Sequence, residues 1–123
     1  MNQLNFNCFR LFILEIFRSA NITATLINAF IVPTDKEEEF LENWKQTTDY
    51  FSGRKGFIET LLHRNAGVGN QTFMYINLAK WESKEVWDQV HTEYKPTEYN
   101  IEGVKGHAAC FEPLIHVKYQ GSK

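Results

Sequence analysis

Residues 72–83 read Thr72-Phe73-Met74-Tyr75-Ile76-Asn77-Leu78-Ala79-Lys80-Trp81-Glu82-Ser83, and this stretch decides the fold. Thr72 to Trp81 has the composition of a strand, and the side chains of a strand alternate between two faces. Phe73, Tyr75, Asn77, Ala79 and Trp81 therefore share one face; Thr72, Met74, Ile76, Leu78 and Lys80 share the other. The second set suits packing against another sheet. The first mixes aromatic rings with a primary amide. Just past the strand, Ser83 is placed to cap a helix reaching about His91, with Val86, Trp87 and Val90 on its inner side. Just before it, Asn65-Ala66-Gly67-Val68-Gly69-Asn70 is a turn, and Phe57 to Arg64 reads as the strand that pairs with it in a hairpin.

Further upstream, Ile22 to Val32 is a strand closed by Pro33. Thr34 followed by Glu37 has the form of a capping box, and Asp35, Glu37, Glu38 and Glu39 suit the positive end of a helix. Phe40, Leu41, Trp44, Thr48 and Phe51 recur at helical spacing, and Gly53 and Gly56 bracket the stop. Downstream, Glu93 to Gly106 is a polar connection carrying Pro96 and two glycines. The last strand falls within Ala108 to Tyr119, where Pro113 marks an edge or a bulge. Strand, helix, strand, strand, helix, strand is the ferredoxin-like βαββαβ order of an α+β fold. It predicts an antiparallel four-stranded sheet with both helices on one face. The bare face predicts a homodimer, two sheets pairing face to face.

The 123 residues are one domain over 22–119, with an extension over 1–21 and a short tail over 120–123. The apolar run from Cys8 to Phe17 is too short to span a membrane, carries Arg10 and Glu15, and makes a poor secretion signal. It reads as an extension that folds against the domain or stays poorly ordered. With a net charge of -2 and scattered Lys and Arg, the chain shows no basic stripe for nucleic acid. Cys8 and Cys110 form no CxxC pair and suit a reducing, cytoplasmic setting. His63, His91, His107 and His116 lack metal-ligand spacing, so no metal is expected.

A buried Asn must find partners for two donors and an acceptor. Two readings of Asn77 and Trp81 follow. In one, Asn77 bonds a neighbouring loop and Trp81 is core. In the other, both face a pocket under the helices and offer N–H donors to a flat polar ligand. The 15% aromatic content, ten Phe among it, serves either a core or such a pocket.

Leu26-Ile27-Asn28-Ala29-Phe30, the Glu37-Glu38-Glu39-Phe40-Leu41 run with Trp44, Gly56-Phe57-Ile58, and Asn77 through Ser83 occur in an order and spacing that resembles the antibiotic-biosynthesis-monooxygenase family of dimeric α+β barrels. The resemblance covers about residues 22–117. It implies that Asn77 and Trp81 are catalytic, donating N–H groups to the phenolate of a small aromatic substrate. It implies reaction of that substrate with dioxygen without metal, flavin or other cofactor. Tyr75, Trp87, Asn28 and His63 are the expected substrate-binding residues, with Tyr75 or His63 the candidate base. Trp87 stands where the family's polyketide-tailoring members carry Tyr, and their pocket Arg has no counterpart here. A haem-degrading branch of the same fold uses a strand-one Asn, matched by Asn28, with a Trp and a His. Trp87 and His91 lie four apart on one helical face, at a spacing from the strand that differs from that branch. A dimeric binding protein without activity is the third reading, since a fold alone does not establish catalysis.

Overall fold

A computed structural model of the chain describes residues 22–94 and 100–121. Four strands, β1 (Ala24–Ile31), β2 (Phe57–Arg64), β3 (Tyr75–Trp81) and β4 (Lys105–Phe111), alternate with two helices, α1 (Glu37–Ser52) and α2 (Lys84–Glu93), in the order β1-α1-β2-β3-α2-β4. The strands form one antiparallel sheet in the order β2-β3-β1-β4. This is the ferredoxin-like α+β fold that the sequence predicts. The extension over 1–21, including Cys8, lies outside the described residues, as do 95–99 of the polar connection and the last two residues of the tail.

Several boundaries differ from the sequence reading. Thr34 does not cap α1: the chain enters through a 3-10 turn over Thr34–Lys36, and the helix begins after Lys36 without a side-chain cap. Glu37, the other half of the expected capping box, is engaged by Tyr75 and Arg64. Ser83 does cap α2, its Oγ accepting from Val86 N–H at 3.1 Å. β3 starts at Tyr75 because the preceding residues belong to the hairpin loop. There the side-chain oxygens of Asn65 and Asn70 accept from the backbone N–H groups of Gly67 and Thr72. β4 runs earlier than expected. Lys105 to His107 pair with Ile31 to Ala29, and the strand ends at Phe111, before Pro113, which has no N–H to offer.

The register fixes the faces. Ala24, Leu26, Asn28 and Phe30 of β1 lie opposite Trp81, Ala79, Asn77 and Tyr75 of β3 on the helix-covered side. Two apolar clusters form there. Val32, Phe40, Tyr75 and Ile101 gather at one end, with Trp44 and Leu62 packed on them. Ala79, Trp81 and Val90 gather at the other, with Phe51, Phe57 and Trp87. Asn28 and Asn77, directly paired across the strands, lie between them. The opposite face carries Ile27, Ala29 and Ile31 of β1 and Ile76 and Leu78 of β3. No helix of the described residues covers it: Leu61 is 61% exposed and Phe111 50%.

A β-bulge between Phe57 and Glu59 breaks the alternation of β2. Phe57 meets the ring of Trp81 on the helix side, with centroids 5.3 Å apart. Beyond the bulge, Thr60, Leu62 and Arg64 oppose Ala79, Asn77 and Tyr75, whereas Leu61 and His63 oppose Leu78 and Ile76. A bulge inserts one residue and so re-aims every side chain after it. Gly56 leads into it at φ +98° and lies against α2, where an added Cβ would run into Val86 Cγ1. Gly56→Ala combines a backbone conformation hostile to L side chains with overpacking. It should cost at least about 2 kcal/mol in chemical denaturation.

Candidate active site

The gap between the two apolar clusters is a cavity of about 200 Å³ roofed by both helices. It exceeds the ~150 Å³ dry cavity that accepts benzene, so one or two aromatic rings fit. The sheet supplies its floor, with Leu26, Asn28, Thr60, Asn77, Ala79 and Trp81. Trp44 and Phe51 enter from α1; Trp87 and His91 enter from α2. All but Thr60, which the bulge in β2 delivers, arrive by simple periodicity: alternate residues of β1 and β3, and one face of each helix.

Polar atoms on this wall are few and distinctive. Trp81 is 1% exposed, wedged edge-on against Phe51 and Phe57, and its Nε1 is buried without a partner among the described residues. Asn28 Oδ1 is likewise buried and unpartnered. Leaving such groups unsatisfied costs about 1–3 kcal/mol each in a folded protein. Asn77, 9% exposed, accepts a 2.6 Å hydrogen bond from the Thr60 hydroxyl at Oδ1. Trp87 and His91 stack at 5.0 Å and 12° along α2. His91 is exposed in the last turn, where the helix dipole favours a cation, yet it reaches the cavity wall.

Asn77, Trp81, Asn28 and Trp87, singled out from the sequence, thus come together. Tyr75 and His63 do not. Tyr75 belongs to the far cluster, where its hydroxyl donates to Glu37 Oε1 at 2.7 Å and its ring stacks on Phe40. Arg64 donates to the same carboxylate oxygen at 3.0 Å. The Tyr75 bond, with Arg64 adding to it, holds the Glu37 carboxyl below its ordinary value of 4.5. Burial first, then the Glu37 carboxylate, raises the Tyr75 phenol above 10.0. A phenol held in this way is a poor base. His63 lies beyond the bulge on the uncovered face, with its Nδ1 3.3 Å from Ile76 O. Thr60, Tyr94 and Ala108 are wall residues that the sequence did not reveal. A threonine on a strand has no signal to separate it from packing.

Residues 23–93 match the family model described as antibiotic biosynthesis monooxygenase. No curated protein matches the chain. Among solved structures, a proposed monooxygenase from Shewanella loihica PV-4 is 29% identical, covering 78% of this chain and 97% of its own at a TM-score of 0.65. SnoaB, a cofactor-independent oxygenase from Streptomyces nogalater, shares the fold at 16% identity, 80% and 99% coverage and a TM-score of 0.62. A haem-degrading protein from Mycobacterium tuberculosis shares it at 21% identity, 80% and 98% coverage and a TM-score of 0.58.

The Glu37 and Tyr75 shifts set a pH dependence of stability. A carboxyl held low in the fold stabilises above about 4.5, and that contribution is lost as the pH falls through its folded value. A phenol held high stabilises up to about 10, and that contribution is lost as the pH rises through its folded value. Tyr75→Phe should lower the melting temperature at pH 7 by about 4–8 °C, the scale of one net hydrogen bond. The deficit relative to the parent should narrow on acidification below 4.5. Ligand affinity in the cavity should not change.

Proposed function

The chain belongs to the antibiotic biosynthesis monooxygenase family, and from that premise we propose that it oxygenates a small electron-rich aromatic, of quinol or phenol type, with dioxygen. The reaction takes place in the cavity between sheet and helices, in a cytoplasmic homodimer, and needs no cofactor. One observation carries this reading: on a wall rich in aromatic rings, the Asn77 amide is engaged by Thr60 through Oδ1 and keeps its Nδ2 without a partner among the described residues. A flat ring bearing an oxygen substituent accepts from that N–H and fills the remaining space with apolar contact.

For a quinol, the net chemistry places one oxygen atom of O₂ on a ring carbon and releases the other as water. The substrate supplies all four electrons and is released as a hydroxyquinone. The protein's part is to bind, orient and polarise. Aromatic walls from both helices and the sheet hold the ring and exclude water. N–H groups of Trp81 and Asn77 stabilise the phenolate that gives up electrons to dioxygen, and in a dry site such donors act strongly. The Asn28 side chain, on the same wall, holds a second hydroxyl. Of the histidines, His91 alone reaches the cavity wall, and it is the side chain placed to take the phenol proton.

The homodimer rests on the uncovered sheet face. Leu61 and Phe111 are half-exposed or more, and beyond β4 the residues Leu114, Ile115, Val117 and Tyr119 are 91%, 81%, 76% and 91% exposed. Apolar surface of that extent calls for a partner. Sedimentation should give twice the 14.4 kDa of the chain at micromolar concentration; a monomer there would remove the dimer.

Haem degradation is the second reading, favoured by Asn28 and His91 sharing one wall. Against it, a cavity of about 200 Å³ suits one or two rings and not a macrocycle. Haem titration should give no stoichiometric Soret shift. A tight one-to-one spectrum abolished by His91→Ala would reverse the order of the two readings.

Oxygen uptake with quinol and anthrone-like substrates tests the main proposal. Asn77→Ala should lower the rate on the order of 10²-fold, the effect of losing one donor aimed at developing charge. Trp81→Phe removes the N–H and should slow turnover; the smaller ring leaves a void beside Phe51 and Phe57, so the melting temperature should fall as well. Chelators should leave the parent rate unchanged. Full activity in both variants would sink the pocket assignment; a parent inert on every such aromatic would leave a binding protein.

A further inference from the structure

We propose that Thr60 is a positioning residue that sets the hydrogen-bonding polarity of the cavity by holding the amide of Asn77 in one orientation. This deepens the reading of the cavity as a phenolate site and rests on it.

A primary amide presents either its oxygen or its NH₂ to a given neighbour, and the two orientations have nearly the same shape. On an apolar wall nothing in shape alone selects one. The difference matters, because NH₂ attracts a phenolate and oxygen repels it. Asn77 sits in the middle of β3, and Thr60 is brought to the same side of the sheet by the bulge in β2. Its hydroxyl donates to Asn77 Oδ1 at 2.6 Å, a short, part-buried bond. That engages the amide oxygen and leaves Nδ2 without a partner among the described residues, on a side chain that lines the cavity. The reversed amide is disfavoured for a specific reason. Thr60 Oγ would then accept from Nδ2, and its own proton would lose the acceptor it has here. A part-buried hydroxyl resists that loss.

Directly across the sheet, Asn28 pairs with Asn77, but its Oδ1 is buried without a partner among the described residues and does not engage the Asn77 amide. Thr60 is thus the side chain that fixes that amide, and the N–H it leaves on the cavity wall receives the ionised oxygen of the substrate.

The test uses a probe that binds without turning over. Bound 4-nitrophenol reports its own ionisation by colour, because phenol and phenolate absorb at different wavelengths. In the parent, the donors should lower the apparent pKa of the bound probe relative to free solution. Thr60→Val keeps the side-chain shape and removes the hydroxyl. It should raise that pKa by about one unit, a tenfold loss in preference for phenolate. Thr60→Ser keeps a hydroxyl and should retain most of the shift. If Thr60 acts through Asn77, Thr60→Val should be silent in an Asn77→Ala background, since sites acting through one contact are not additive. Additive losses, or an unchanged pKa in a folded Thr60→Val protein, would overturn the role of Thr60 while leaving the phenolate site standing. A parent that does not lower the pKa of the probe removes that site, and the role of Thr60 falls with it.

Discussion

The β-bulge between Phe57 and Glu59 is the constraint on which the site depends. Without it, strict alternation would put Phe57, Glu59, Leu61 and His63 on one face. With it, Phe57 and Thr60 both face the helices, Phe57 against Trp81 and Thr60 against Asn77. One inserted residue therefore builds the apolar wall beside Trp81 and brings a hydroxyl to the amide at the cavity floor. The bulge is held at its entrance by Gly56, whose backbone conformation and contact with α2 leave no room for a side chain. Packing of α2 and aim of the β2 side chains are thus one problem with one solution.

The cavity follows from a polar band laid across an apolar sheet. Asn28 and Asn77 occupy positions where a continuous core would have aliphatic residues, and the packed clusters lie on either side of them. Filling the gap with aliphatic side chains would stabilise the fold, since buried polar atoms without partners cost free energy. Among the described residues the protein instead keeps two of them, Asn28 Oδ1 and Trp81 Nε1, buried and unpaired. Such departures from the most stable packing concentrate at functional sites. The far cluster shows the contrast. There the buried phenol of Tyr75 is fully engaged by Glu37, and Arg64 completes the contact. Polar atoms satisfied within the protein hold the sheet to α1; the two unpaired ones belong to side chains that line the cavity.

Much of this was legible in the sequence, because parity and helical period are local properties. The alternation of residues 75–81 placed Asn77, Ala79 and Trp81 on one face, and the 3.6-residue period placed Trp44, Phe51, Val86 and Trp87 on inward stripes. The ferredoxin-like order of elements followed from the same patterns, as did the uncovered sheet face. Ser83 was recognisable as a cap because its oxygen bonds a backbone N–H three residues on, a contact set by local spacing alone.

The rest depended on contacts between residues far apart in the chain. Thr34 and Glu37 have the form of a capping box, but Glu37 is drawn off by Tyr75 and Arg64, 38 and 27 residues away. Tyr75 shares the inward face of Asn77 as its parity requires, and that hydrogen bond removes it from the cavity. His63 was assigned to the site with nothing in β2 to mark the bulge, which sends its ring to the other side of the sheet. Thr60 gains its position by the same irregularity. The sequence determined which faces are apolar and which residues can donate or accept; tertiary structure decided which of those groups meet, because one bulge and a few long-range hydrogen bonds override the local period.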